Sequence, residues 1–179
     1  MILIVGICGN SGSGKTTLIN NCFENNPDLF NRVEQMTTRR PRVNEVEHYN
    51  FVTESFYDYF KSKGNLTAIT KVDGSLYGSI IPTFATSDGT KKKINILALN
   101  TEGLLSLKKT VEEMDNVRIL NIGLIKPELS NEELANRQHR DIEKELTFTN
   151  DVDILVGLGT GEYLNYKEFI GILKDEKFI

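Results

Sequence analysis

The chain has no tryptophan, two cysteines, two histidines and four prolines, and its charge is not basic. Two cysteines, Cys8 and Cys22, are too few for a disulfide scaffold. Both fall in apolar patterns, where a thiol serves as a small core residue in a reducing cytoplasm. His48 and His139 stand in polar surroundings and are read as exposed rather than catalytic. A formal net charge of −4 argues against a nucleic-acid surface, and the one dense basic run, Lys91 to Lys93, reads as a solvated turn. No apolar stretch is long enough to cross a membrane, and the apolar N-terminus lacks the basic lead-in of a signal peptide. What is left is a cytoplasmic globular chain. Its 179 residues, 39% hydrophobic and 26% charged, suffice for one α/β domain with a sizeable core.

Against these absences stands one dense feature. "GNSGSGKTTL" (9–18) follows directly on the apolar run "ILIVGIC" (2–8) and fits G-x-x-x-x-G-K-[ST], with Gly9, Gly14, Lys15 and Thr16 in the fixed places. Glycines at 9, 12 and 14 let the backbone bend so that successive N–H groups converge on an anion. A helix from about Lys15 to Asn25 adds the positive end of its dipole. Lys15 is placed to reach β- and γ-phosphates and the Thr16 hydroxyl to sit on Mg²⁺. The strand before and the helical pattern after (Leu18, Ile19, Cys22, Phe23) supply the context the motif requires, so the loop is read as binding a nucleotide.

Downstream, "RVEQMTTRRPR" (32–42) reads as a strand ending in a basic loop, and "HYNFVT" (48–53) as a short extended piece. "TESFYDYFKSKG" (53–64) is expected to be a helix with Phe56, Tyr59 and Phe60 on one face, ending at Gly64. "LTAITKV" and "SLYGSII" are expected to form a hairpin around Asp73-Gly74. Core strands follow at 94–100, 117–125 and 152–158. Helices are expected at 102–113, at 130–146 behind a Ser130/Glu133 capping box, and at about 164–174. Strands alternating with helices, plus a β-rich insert at 32–82, predict an α/β fold with a parallel central sheet and a small second subdomain.

Many reactions use such a loop. "TKVD" (70–73) and "NTEG" (100–103) have a GTPase look, but their order along the chain is reversed and the switch Asp is Asn100. "TTRRPRVNEVEHYNFVT" (37–53) points elsewhere. Arg39 and Arg42 flank the rigid Pro41, Tyr49 lies a few residues on, and "LYGS" supplies Tyr77 and Ser79. Two planar, bidentate guanidiniums and two phenols suit a second phosphate dianion, whereas the bland reading is a solvated basic loop with core tyrosines.

"GNSGSGKTTL", "TTRRPR…YNFV" and "LYGS" together resemble the guanylate kinase family in order and rough spacing, through about residue 156. The resemblance implies a P-loop three-layer fold: core 1–31 and 83–179, a monophosphate-binding insert at about 32–82, and a reduced lid at about 125–137. It implies that Gly9, Asn10, Ser11, Gly12, Ser13, Gly14, Lys15, Thr16 and Thr17 hold ATP, with Mg²⁺ on Thr16. Arg39, Arg42, Tyr49 and Tyr77 then hold the phosphate of a nucleoside monophosphate. Transfer of the γ-phosphoryl is in line, with no covalent intermediate, and rests on positioning and positive charge from Lys15, Arg42 and lid arginines. Arg137 and Arg140 lie at i, i+3 on one expected helix face and are the lid candidates beside Lys126. The competing reading is a surface pair matched by Asp141 and Glu143.

Departures from the family concentrate where the base is read. The family reads guanine with a Ser, a Glu, a second Ser and an Asp. Those places hold Gln35, Ala68, Ser79 and Asn100 here, so both carboxylates are gone. Ala68 is expected to leave open space where a Glu side chain would stand. The expectation is a kinase with the phosphate reader kept and the base reader changed, acting on GMP no better than on another monophosphate. Two alternatives stay open: a binding module without catalysis, against which the intact loop argues, and a kinase for a modified base within DNA.

Overall fold

A computed structural model describes residues 1–9, 12–41, 49–87, 93–125, 147–159 and 162–179. Nine strands and four α-helices occur among the described residues. They are β1 (Ile2–Gly9), α1 (Lys15–Asn25), β2 (Phe30–Arg32), β3 (Gln35–Thr37), β4 (Asn50–Phe51), α2 (Glu54–Ser62), β5 (Leu66–Val72) and β6 (Ser75–Ile80). β7 (Ile94–Leu99), α3 (Thr101–Glu112), β8 (Val117–Ile125), β9 (Ile154–Gly157) and α4 (Tyr166–Asp175) follow. The helix expected at 130–146 and all of the expected lid beyond Ile125 lie outside the described residues.

The main sheet has the order β2-β7-β1-β8-β9, with every pairing parallel. β1 is apolar at nearly every position because it is covered on both faces, as the middle strand of a parallel sheet must be. Its odd residues Leu3, Val5 and Ile7 join Leu18 and Cys22 of α1 and Phe169 and Leu173 of α4 in one cluster. Its even residues Ile4 and Cys8 join Leu97, Leu99, Leu104 and Leu107 toward α3. The two thiols thus belong to cores on opposite faces of the sheet, both buried and free. This is a three-layer α/β fold.

A second, four-stranded sheet has the order β4-β3-β6-β5. The strand expected at 32–42 is broken: β2 ends at Arg32 in the main sheet, and β3 begins at Gln35 in the second. The hairpin turns at Asp73-Gly74 with φ of 50° and 80°, the positive-φ pair that a two-residue turn needs to match strand twist. α2 starts at Thr53, whose side chain accepts from Phe56 N, as its sequence signals. Its buried residue is Tyr57, however, while Phe56 and Tyr59 are exposed. The Tyr57 hydroxyl donates to the Tyr77 carbonyl at 2.8 Å, and a Cβ on Gly78 would lie 3.1 Å from it. A polar tip aimed at a sheet carbonyl is what lets tyrosine outcompete phenylalanine for this interior place.

The two sheets are joined through α3. Thr67 Oγ1 donates to Thr110 Oγ1 at 2.9 Å, Ile69 N donates to Ser106 Oγ at 2.9 Å, and Thr70 Oγ1 donates to a Glu102 carboxylate oxygen at 2.8 Å. Residues 102, 106 and 110 recur every four positions, so one face of α3 receives the whole edge of β5. Among the described residues no helix is long and apolar enough to cross a membrane.

Candidate active site

The phosphate loop leaves β1 at Gly9 and enters α1 at Gly14. Gly14 is left-handed, with φ 89°, and its Cβ would stand 2.6 Å from the Tyr163 ring, so both backbone and space demand glycine. At Gly9 a Cβ would meet Ser13 Oγ at 2.6 Å and the Leu124 carbonyl at 2.8 Å. The loop is therefore drawn tight against β8. Lys15 Nζ donates to the Gly9 carbonyl at 2.7 Å, across the ring that the loop forms. Thr16 and Thr17 are exposed on the first turn of α1. Ser13 is fully buried, and its hydroxyl has no hydrogen-bond partner among the described residues. A buried orphan hydroxyl costs on the order of 1–3 kcal/mol, and this one lies inside a glycine-rich loop of the kind whose amides can converge on an anion. A phosphate group fits this cradle, with Thr16 at hand for a Mg²⁺ ion. Asn10 and Ser11 lie outside the described residues.

The second cluster is built on β3 and β6. Arg39 has its guanidinium 5.8 Å from the centre of the Tyr49 ring and 5.5 Å from that of Phe51, and Nη1 donates to the Arg40 carbonyl at 2.9 Å. Tyr49 meets Tyr77 edge-on, with ring centres 5.8 Å apart. Stacking on aromatic rings holds a guanidinium in place while leaving its edge for hydrogen bonds. Arg39, Tyr49 and Tyr77, taken from three separate stretches of sequence, thus come together. Arg42, Arg137, Arg140, Lys126, His48 and His139 lie outside the described residues.

Register places the base-reading candidates. Gln35 pairs with Ser79 and Thr37 with Tyr77 across β3–β6, while Thr70 pairs with Tyr77 across β5–β6. These side chains share the sheet face opposite Met36, Leu66 and Ile80, which pack with Tyr57. Gln35 Nε2 reaches Ser79 Oγ at 3.4 Å. Ala68 departs from the expectation of open space. It occupies the register shift between Thr67 and Thr70 with φ 50°, and its methyl is 5% exposed within the apolar cluster of Leu99 and Leu104. The bulge turns this position toward the core. Asn100 has structural work at both ends of its amide. Its oxygen caps α3 by accepting from Gly103 N at 2.8 Å, and Nδ2 donates to Thr70 Oγ1 at 2.8 Å. Thr70 and Glu102 stand outside the site residues that the sequence indicates. The bulge that brings Thr70 opposite Tyr77, and the turn of α3 that brings Glu102 to Thr70, leave no local signal.

Known proteins share the sequence pattern and the fold. The guanylate kinase family model matches residues 2–154. A guanylate kinase of Thermotoga maritima is 31% identical over 58% of this chain and 50% of its own length. A guanylate kinase of Prochlorococcus marinus subsp. pastoris is 31% identical over 79% of this chain and 74% of its own. The match thus spans only half the length of the first of these relatives. The crystal structure of guanylate kinase from Anaplasma phagocytophilum superposes with a TM-score of 0.69 at 20% identity, covering 97% of this chain and 85% of that one, a likeness of fold. With the family model spanning most of the sequence, the chain belongs to the guanylate kinase family.

Proposed function

We propose that the protein is an ATP-dependent nucleoside monophosphate kinase, converting a (d)NMP and ATP to the (d)NDP and ADP. The observation that carries this reading is the buried, unpartnered Ser13 hydroxyl inside a loop closed by Lys15 and Gly9. An intact loop of this kind argues against a binding module without catalysis. Lys15 would leave the Gly9 carbonyl for the β- and γ-phosphates, and the first-turn amides of α1 would face the same charge. Mg²⁺ on Thr16 would neutralise charge on the transferring group. Arg39, Tyr49 and Tyr77 would orient the acceptor phosphate, with Arg42 beside them. Attack by a phosphate oxygen, already anionic, needs no general base.

The base specificity belongs to the same proposal. None of Gln35, Ala68, Ser79 and Asn100 presents a carboxylate, Ala68 faces the core, and Asn100 is engaged at both ends. A guanine site built on carboxylate acceptors at these places is therefore absent, and GMP is expected to be at best equal to another monophosphate. The test is a panel of ribo- and deoxynucleoside monophosphates with ATP and Mg²⁺, scored for diphosphate. No product from any of them would refute the kinase reading. Selectivity for GMP by about a hundredfold over every other base would refute the altered pocket.

A further inference from the structure

We infer that Glu102 selects the acceptor base, favouring bases with an exocyclic amine (cytosine, adenine, guanine) over thymine and uracil. The inference rests on the kinase reading for the identity of the pocket, but not for its geometry. Glu102 is the second residue of α3, exposed, and its Oε2 accepts twice: from Thr70 Oγ1 at 2.8 Å and from Lys71 N at 3.2 Å. Both bonds use one oxygen. The other, Oε1, accepts no hydrogen bond among the described residues.

The anchoring places that oxygen. Thr70 is the direct cross-strand partner of Tyr77, and its hydroxyl is held from the other side by Asn100 Nδ2 at 2.8 Å. Cross-strand partners point the same way. The row Thr37, Tyr77, Thr70 therefore ends in Glu102, on the face that also carries Gln35 and Ser79. A carboxylate reaches the pocket from the helix after the strand end rather than from residue 68 or 100.

Its orientation is locked by chemistry. The Thr70 hydroxyl has one proton, given to Glu102, and it accepts from Asn100. Lys71 N is a backbone donor on the edge strand of its sheet. The carboxylate is thereby pinned at one oxygen and acceptor-only at the other. Such a group pairs with the N4 amine of cytosine, the N6 amine of adenine or the N2 amine of guanine. It meets the O4 carbonyl of thymine or uracil as acceptor against acceptor. Gln35 and Ser79 each donate and accept, so they tolerate either edge and do not impose this choice.

The experiment measures equilibrium binding of CMP, dCMP, AMP, GMP, UMP and dTMP by calorimetry to the wild-type protein, Glu102→Gln and Thr70→Val. At least one amine-bearing monophosphate should bind about tenfold or more tighter than UMP and dTMP, the scale of one charged hydrogen bond. In Glu102→Gln the side-chain oxygen can keep Thr70 and Lys71, which leaves the NH₂ facing the pocket. The ratio should then collapse to about threefold or less, mainly through tighter UMP and dTMP binding. Thr70→Val, which unpins the carboxylate without removing it, should give an intermediate ratio and guards against a folding failure of the first variant. UMP or dTMP binding as tightly as every amine-bearing nucleotide would overturn the inference. So would an unchanged ratio in Glu102→Gln, which would mean that the residue serves only the start of α3, and so would no binding of any monophosphate. Turnover is measured separately. Monophosphates that bind with the expected ratio but yield no diphosphate would refute the kinase reading and leave the role of Glu102 standing.

Discussion

Asn100 joins the main sheet to the second sheet, and its removal should be felt as stability before it is felt as recognition. The perturbation is Asn100→Ala. It deletes the acceptor for Gly103 N at 2.8 Å, an N-cap loss of about 1 kcal/mol, and the donor to Thr70 Oγ1 at 2.8 Å, a further loss of about 1 kcal/mol. The sum, about 2 kcal/mol, lowers the melting temperature of a domain of this size by roughly 4–8 °C. Asn100→Asp isolates the two halves. Its carboxylate still caps α3 and suits the helix dipole, but it cannot donate to Thr70. Because residues 100 and 102 both reach Thr70 Oγ1 at 2.8 Å, two carboxylates there would stand roughly 5 Å apart, a repulsion of about 0.8 kcal/mol in bulk water. The favourable helix-dipole contribution of an N-cap carboxylate, about 0.3–1 kcal/mol, offsets that repulsion, so the Asp variant should lose about half of what the Ala variant loses. Urea denaturation at pH 7, with midpoints and slopes fitted for all three proteins, provides the assay. An Ala variant within about 0.3 kcal/mol of wild type, or an Asp variant damaged as much as the Ala variant, would refute this division of labour.

Three further outcomes follow from the site and the core. Lys15→Ala should abolish phosphoryl transfer with an unchanged fold, since one lost electrostatic contact of this kind costs about 3 kcal/mol or more of transition-state stabilisation. Near-wild-type turnover with unaltered circular dichroism would remove the loop from the reaction. Arg39→Ala should raise the acceptor KM tenfold or more while leaving ATP affinity within about twofold, measured by steady-state kinetics and nucleotide titration. Burial pushes both the Cys8 and Cys22 thiols up to about 12 from an ordinary 9.0, with Lys15 and Lys108 drawing Cys8 partly back. The folded chain then holds protons that the unfolded chain releases above pH 9. Their contribution is complete below that point and is lost as pH rises toward 12, so urea midpoints should fall over this window. A double Cys8→Ala, Cys22→Ala variant should show a shallower fall, and an equal one would assign the pH dependence to other groups.

Legibility in the sequence followed the range of the interaction. The central strands β1, β7 and β8 announced themselves as short apolar runs, because both of their faces are covered. The starts of α1 and α2 were marked by Gly14 and Thr53, whose effects reach only three or four residues. The break between β2 and β3 was not legible. Nothing in "RVEQ" says that the chain leaves one sheet for another, since Val33 and Glu34 would suit a continuous strand. The choice of Tyr57 over Phe56 and Tyr59 for the interior of α2 was hidden for a related reason. Aromatics on every side of the helix leave the apolar face ambiguous, and the carbonyl of Tyr77 that decides it is twenty residues away.

From the sequence alone came the phosphate-loop motif, the α/β alternation, the hairpin at Asp73-Gly74, and the proposal that two arginines and two tyrosines read an acceptor phosphate. Each is a local pattern whose chemistry depends on spacing within one segment or on a few residue types. Tertiary structure alone decided what surrounds the proposed base site. It turned Ala68 into the core through a bulge, used Asn100 to cap α3 and hold Thr70, and raised Glu102 into the row of Tyr77. Those outcomes depend on the register of β5 against β6 and on the face that α3 presents to them. A one-residue slip of β5 against β6 would reverse which of its side chains share the face of Tyr77. Register is set by the sum of many distant contacts, and so it is written nowhere in particular along the chain.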